Sequence, residues 1–320
     1  MKTNVFANDD ALKRLLSPDN VAPLIQLPED LNPFYADGVE IWAKVYGGNQ
    51  HIKLVTAIGM LESAQKLGKL NGVTTLVEAS SGNMVHALHI VKDWFGIKEV
   101  IPVIPRDIAP GKLEVIRLLG MDPVFFKDNG VALAEELGKR PHHLNLNQYH
   151  NSANPTAHEK HTGPQIFDQT EGRVRIFAAG LGTTGTMEGV CRFLRAQLGT
   201  KITTVGIVCK EGNPIPGIRS FKKLKEIGFS WKVWSDHLVE MTTPEAYLAS
   251  LNMQKKGISA GPSSGAALQG LIDFLRKEKS SGKLDSYRNS DGKIVTVFVC
   301  PDAWEKYIEK YTMALDSFQI

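Results

Sequence analysis

Between about residues 55 and 300 the chain alternates short apolar runs with stretches of helical periodicity. No other feature constrains its fold as strongly. Val55–Leu67 places Ile58, Leu61, Ala64 and Leu67 on one stripe, the pattern of an amphipathic helix. Thr74–Val77 then reads as a buried strand, Met84–Phe95 as a helix, Val100–Ile104 as a strand, and Lys112–Leu119 as a helix stopped by Gly120. Val124–Phe126 and Val131–Lys139 repeat the strand and helix. After a loop rich in Asn, Ser and Pro (Asn151–Pro155) comes a second block. Its strands are Val174–Ala178, Thr203–Val208 and Ile294–Val299, and its helices Met187–Gln197 and Ala266–Lys277. This order predicts an α/β fold of two domains, each a mostly parallel sheet flanked by helices, with a ligand cleft beyond the carboxyl ends of the strands. Lys279–Lys293, polar and rich in Gly and Ser, reads as an exposed loop.

Basic and acidic residues nearly balance, 37 against 34, and are interspersed, so the sequence carries no nucleic-acid footprint. The basic run Phe221–Lys225 reads as a solvated helix face. No apolar stretch approaches membrane-spanning length and the first residues lack an apolar signal core. Three cysteines, Cys191, Cys209 and Cys300, have neither disulfide nor zinc spacing. Cys209 and Cys300 each end an apolar run and read as buried strand residues. A reducing cytoplasm fits these features. His158 and His161 in HEKH find no third ligand at metal spacing, and His142-His143 falls in a polar loop, so no metal is expected.

Four constellations can carry chemistry. Gly180–Thr186 (GLGTTGT) joins a strand to a helix, where glycines let the backbone approach an anion and the helix N-terminus offers free N–H groups. It has neither Walker nor dinucleotide spacing, and a tight turn without a ligand is the other reading. Ser80–Asn83 (SSGN) stands at another strand–helix junction, suited to a carboxylate or phenolic oxygen and equally to helix capping. Gly261–Ala266 (GPSSGA) enters a third helix, where Ser263 can cap or bond a heteroaromatic nitrogen. Lys53 follows a glycine-containing loop and opens an apolar helix. It is either a surface lysine or a buried amine fit for Schiff-base chemistry.

In order along the chain, the lysine loop, SSGN, NQYHNSANPTAHEKHTGPQI (147–166), GLGTTGT, IPGIR (215–219), GPSSGAA (261–267) and CPDAWEKYI (300–308) resemble the cysteine synthase and cystathionine β-synthase family. These are fold-type II, tryptophan synthase β-like enzymes that depend on pyridoxal 5′-phosphate (PLP). Within the family the motifs are similar to the O-phosphoserine and O-acetylserine sulfhydrylases of the second isozyme class. The resemblance spans about Ile41 to Tyr307. It implies that Lys53 forms the Schiff base with PLP and moves the substrate's Cα proton. Asn83 would bond the cofactor's phenolic oxygen, Gly182, Thr183, Thr184, Gly185 and Thr186 would cradle its phosphate, and Ser263 would bond the pyridine nitrogen. A neutral serine there weakens the electron sink, which suits β-elimination. Ser80, Ser81, Gly82, Met84 and Gln148 would hold the substrate, and Arg219 would face an anionic leaving group.

The implied reaction is β-replacement on O-acetyl- or O-phosphoserine through an α-aminoacrylate, by a cytoplasmic homodimer acting as a transferase or lyase in amino-acid biosynthesis. Its partners are small amino-acid substrates, with no nucleic acid or membrane involved. A smaller substrate-binding domain is expected at 46–155, and a larger phosphate-binding domain at 1–45 and 156–320. The lysine loop departs from the family's pattern: it is two residues shorter, lacks the Asp-Arg after the lysine, and has His51 where a serine is usual. Met84 replaces a threonine whose hydroxyl helps grip the carboxylate. These departures leave open a changed reaction, either β-elimination of cysteine to sulfide or replacement with an amine nucleophile, and also a non-catalytic regulatory role. Lys44, in the strand EIWAKV, is the one nearby rival of Lys53.

Overall fold

The computed structural model describes residues 10–47, 51–80, 82–108 and 110–318. The chain runs through α1 (Ala11–Leu16), β1 (Leu24–Gln26), β2 (Val39–Val45), α2 (Lys53–Lys66), β3 (Thr75–Ala79), α3 (Asn83–Val91), β4 (Glu99–Pro105), α4 (Pro110–Leu118), β5 (Val124–Phe126), α5 (Gly130–Leu137) and β6 (His143–Asn145). It continues through α6 (Ala153–Lys160), α7 (Thr162–Gln169), β7 (Val174–Gly180), α8 (Gly185–Leu198), β8 (Thr203–Cys209), β9 (His237–Met241), α9 (Thr243–Lys255), α10 (Pro262–Ser280), β10 (Ile294–Cys300) and α11 (Ile308–Phe318). Two compact units result, Met1–Val21 with Asn49–Ala157, and Ala22–Gly48 with His158–Ile320. The N-terminal stretch therefore groups differently from the expected 1–45 segment. Leu16 of α1 packs on the core of the smaller unit, and the larger unit's share of this region begins at Ala22.

The smaller unit is built on a four-stranded parallel sheet in the order β5-β4-β3-β6. All five residues of β3 are buried, as a central parallel strand requires. Leu76 joins a cluster with Leu61, Val85 and Leu88 from α2 and α3, while Val77 and Ala79 join Ala134 and Leu137 of α5. Successive side chains of the strand thus feed two separate cores.

The larger unit holds a six-stranded sheet in the order β1-β2-β10-β7-β8-β9, parallel except for the β1 edge. The apolar, β-branched β10 is buried at all seven positions, and its Phe298 packs with Ile41, Ile176 and Leu271. α9 begins at a capping turn in which Glu245 Oε2 accepts from Thr242 N at 2.8 Å.

The structure corrects three local expectations. His143 lies not in a loop but in β6, paired with Thr75. Its run is only three residues long, too short to show periodicity. Lys279–Lys293 is not simply exposed: Leu284 is buried, and Asn289 Nδ2 donates to Arg173 O at 2.7 Å. In the FKKLK run the lysines are exposed but Leu224 is fully buried, so the turn is pinned to the core rather than solvated throughout. Cys209 and Cys300 are buried strand residues as expected.

Candidate active site

In the smaller unit, Lys53 is the first residue of α2 and is half-buried. The turn before it is closed by Leu54 N donating to His51 O at 2.9 Å. Its charge acts on Glu78 of β3, a wholly buried carboxyl. Burial pushes Glu78 up from 4.5 to about 7, while N–H donors from Gln148 and Asn147 and the charge of Lys53 pull it back down.

β3 leads directly into the Ser80–Asn83 turn. Ser80 Oγ accepts from Gly82 N at 3.0 Å and Met84 N at 3.3 Å, so its hydroxyl serves the start of α3. Gly82 has φ 128°, which side chains rarely adopt, and Lys112 of α4 packs its stem against it. Asn83 opens α3. The Met84 side chain is buried in the core with Leu88, so at this position only the backbone can face a ligand. Ser81 lies outside the described residues. Gln148 is buried, with Nε2 donating to Ala79 O at 2.9 Å and its carbonyl accepting from Asn154 Nδ2 at 2.8 Å.

In the larger unit, GLGTTGT runs from the end of β7 into the 14-residue α8. Leu181 N donates to Ile207 O, and Leu181 O accepts from Arg219 N, both at 2.8 Å. The IPGIR segment is thereby laced to the loop backbone to backbone. A Cβ on Gly182 would lie 2.3 Å from Gly217 O, so only glycine fits. Thr184 is left-handed, φ 67°, immediately before α8. Its Oγ1 is buried without a hydrogen-bond partner among the described residues. A strained backbone and an unsatisfied buried hydroxyl at a helix N-terminus fit a phosphate group. Thr183 and Gly185 are buried beside it. Thr186 Oγ1 lies 3.3 Å from His158 Nε2, whose Nδ1 is 2.9 Å from Thr162 Oγ1.

Ser263 is buried in the first turn of α10. The helix N-cap is Gly261 and no side chain caps it, so capping does not account for this serine. Arg219 is partly exposed and donates through Nη1 to Glu226 Oε2 at 2.9 Å and to Lys223 O at 3.3 Å. Lys44 is buried in β2, with Nζ donating to Ala22 O at 2.6 Å and Gln169 Oε1 at 2.7 Å.

Three functional candidates escaped sequence reasoning. Glu78 was hidden in an apolar strand, where a lone carboxylate was the available signal. His86, whose Nδ1 lies 3.0 Å from His51 Nε2, gives no signal in the sequence by itself. His158 carries only a metal-ligand signal in the sequence, although it stands between two threonine hydroxyls.

In the larger unit, a buried hydroxyl on left-handed backbone at a helix N-terminus and a buried serine in the first turn of α10 fit the polar groups of PLP, and in the smaller unit a lysine opens α2 near a buried carboxyl. Comparison with known proteins agrees. The family model for pyridoxal-phosphate dependent enzymes matches residues 20–298. Cysteine synthase B of Salmonella typhimurium is 31% identical over 294 residues, covering 89% of this chain and 91% of that protein. Cysteine synthase of Aquifex aeolicus is 31% identical over 299 residues, covering 89% and 88%. Among solved structures, O-ureido-L-serine synthase with O-ureido-L-serine bound superposes with TM-score 0.75 at 24% identity, covering 94% and 93% of the two chains. A hydrogen sulfide-producing enzyme of Fusobacterium nucleatum gives TM-score 0.75 at 23% identity, covering 91% and 99%. The chain belongs to the pyridoxal-phosphate dependent enzyme family, among the relatives of the cysteine synthases, and its cofactor is PLP.

Proposed function

We propose that this enzyme carries out β-replacement on an O-activated L-serine, O-acetyl- or O-phosphoserine, with sulfide as the default nucleophile. The observation that carries the reading is the cradle at Thr184, whose buried hydroxyl and left-handed backbone suit the cofactor's phosphate, in a chain 31% identical to cysteine synthases. Thr183, Gly185, Thr186 and Gly182 would complete the cradle, Asn83 would bond the phenolic oxygen, and Ser263 would bond the pyridine nitrogen. PLP, when bound, supplies the electron sink that makes the substrate's Cα–H acidic. Lys53 would anchor the cofactor, and its Nζ, once freed, would take the substrate's Cα proton and return it. Between those transfers the acyl or phosphoryl oxygen leaves Cβ with its bonding pair, and the nucleophile adds there. The Ser80–Gly82 turn and Gln148 orient the substrate's carboxylate. Arg219 neutralises the leaving group once it gives up Glu226, an exchange made easy because exposed ion pairs are weak.

In this reading the smaller unit binds substrate and the larger unit binds the phosphate. The protein works in the cytoplasm as a homodimer, an assembly that light scattering would check. Three buried free cysteines and the lack, among the described residues, of any helix long and apolar enough to cross a membrane accord with that compartment.

A second reading keeps the site and changes the reaction, to sulfide release from cysteine or to an amine acceptor. His51 just before Lys53 and the core-facing Met84 favour it. Both readings are tested by incubating the PLP-loaded protein with each serine ester and with cysteine. Released acetate or phosphate, sulfide and amino-acid products are then quantified in the presence of sulfide, ammonia and amino-acid nucleophiles. Ester-dependent cysteine formation, lost roughly thousand-fold in Lys53→Ala, is expected. No ester consumption with any nucleophile would overturn the first reading.

A further inference from the structure

Glu78 is the one charged residue of a strand buried at every position. Burying a carboxylate there is strongly unfavourable unless its oxygens are well used. They are used on a single turn. Oε1 accepts from Gln148 N at 3.1 Å, and Oε2 accepts from Asn147 N at 3.0 Å, with Asn145 Nδ2 farther off at 3.5 Å. The two backbone donors belong to consecutive residues at the point where the chain leaves β6. There Asn147 takes the left-handed conformation, φ 55°, and its Nδ2 donates to Glu135 Oε1 at 2.6 Å. Asparagine takes that conformation more readily than other residues with a side chain, and here its Oδ1 also accepts from Tyr149 N at 3.3 Å. Glu78 is the group that receives both of this turn's backbone N–H donors. What the turn presents is Gln148, whose side-chain amide is fixed on Ala79 O at 2.9 Å. Ala79 directly follows Glu78 in β3, so one strand end sets both the backbone and the amide of Gln148. Burial disfavours the ionised carboxyl, and the two N–H bonds with the charge of Lys53 offset part of that penalty.

We infer that Glu78 is a positioning residue: through the backbone N–H groups of Asn147 and Gln148 it sets the Gln148 amide that meets the substrate's carboxylate. The inference rests on the substrate role proposed above for Gln148. Glu78 does not itself touch substrate, so its effect passes through the turn's two backbone N–H groups and through the Gln148 side-chain amide, which also bonds it. It follows that removing either oxygen should weaken substrate capture without disturbing the cofactor, and that Glu78 and Gln148 should behave as one unit.

The test compares PLP-loaded wild type, Glu78→Gln, Gln148→Ala and the double variant. KM and kcat for the serine ester are measured with the absorbance spectrum of the bound cofactor. Glu78→Gln places an NH2 against one backbone N–H, and Gln148→Ala removes the amide. Each is expected to raise KM about ten-fold with kcat nearly constant and the spectrum unchanged, and the double variant to be no worse than Gln148→Ala alone. Multiplying effects in the double variant, or an unchanged KM in Glu78→Gln while Gln148→Ala raises it, overturns the inference. An unchanged KM in Gln148→Ala overturns the underlying role of Gln148 instead. If Glu78→Gln does not fold, Glu78→Asp serves in its place. It keeps the charge but is one methylene too short to reach both N–H groups, so the same rise in KM is expected. Wild-type KM in Glu78→Asp counts against the inference.

Discussion

His51 Nε2 lies 3.0 Å from His86 Nδ1, with the two rings stacked at 5.1 Å between centroids and 26° between planes. A hydrogen bond between two ring nitrogens needs one to donate and the other to accept, so each imidazole fixes the tautomer of the other. His51 stands two residues before Lys53, and His86 lies one turn beyond Asn83 on the same helix. The pair thus ties the start of α2 to α3, the two helices whose first residues are the candidate lysine and the candidate phenol ligand. His51→Ala and His86→Ala should each destabilise the fold, and the double variant should fall short of their sum by about 1 kcal/mol. Urea unfolding of the four proteins measures this coupling, and strict additivity would show that the contact carries none.

The close approach at Gly182 predicts a different kind of loss. A methyl group there would meet Gly217 O at 2.3 Å, and that oxygen belongs to backbone already held by the Arg219 N to Leu181 O bond. Relief requires the loop to open, at about 1–3 kcal/mol for an overpacked site. Gly182→Ala should therefore weaken cofactor binding by roughly ten- to hundred-fold, read by titrating PLP into the apoprotein and following cofactor absorbance. Unaltered affinity would show that the loop does not grip the phosphate through this turn.

The alternating blocks of strand and helix were legible because long buried strands such as IVTVFVC and long helices such as α10 declare their period. What the sequence left unread were short elements and contacts made across the fold. β6 and β1, three residues each, cannot show a period. The motif order picked out Lys53, Ser263 and the GLGTTGT turn as candidates. It could not show that Glu78 spends its carboxylate on the turn before Gln148, or that His158 bridges Thr162 and Thr186. Glu78 and Gln148 lie 70 residues apart in sequence, and His158 and Thr186 lie 28 apart. Met84 shows the reverse limit: its place beside the substrate turn was legible, but the direction of its side chain, into the core, was not.

The three cysteines should be inert in the native protein. Burial raises all three thiols, pushing Cys300 up to about 12, and only the thiolate reacts. A thiol reagent at mildly alkaline pH should label the folded enzyme slowly and reveal all three on denaturation. Rapid labelling of one thiol in the native state would place that cysteine at an opening of the fold.

Lys44 gives the chain a pH signature of its own. Its ammonium is enclosed in β2 and bonded to two neutral oxygens, Ala22 O and Gln169 Oε1. Burial lowers its pKa from 10.5 to about 7. Between those values the native protein has released the proton while the unfolded chain keeps it, so stability rises with pH across that window. Below about 7 both states hold the proton and the contribution has been lost. Lys44→Met removes the group and with it the slope. From about pH 7 to pH 10, the difference in unfolding free energy should therefore move in favour of wild type by a few kcal/mol at most. Urea titrations of both proteins across the range measure it, and a constant difference would mean that Lys44 titrates normally. The same pair of lysines decides the assignment of the cofactor. A buried, easily neutralised amine has the chemistry of a Schiff-base lysine, but both carbonyl partners of Lys44 are satisfied within its own unit, while Lys53 opens α2 within reach of the Glu78 charge. Lys44→Met should keep the yellow absorbance of bound PLP, and Lys53→Ala should lose it. The opposite result would move the Schiff base to the strand.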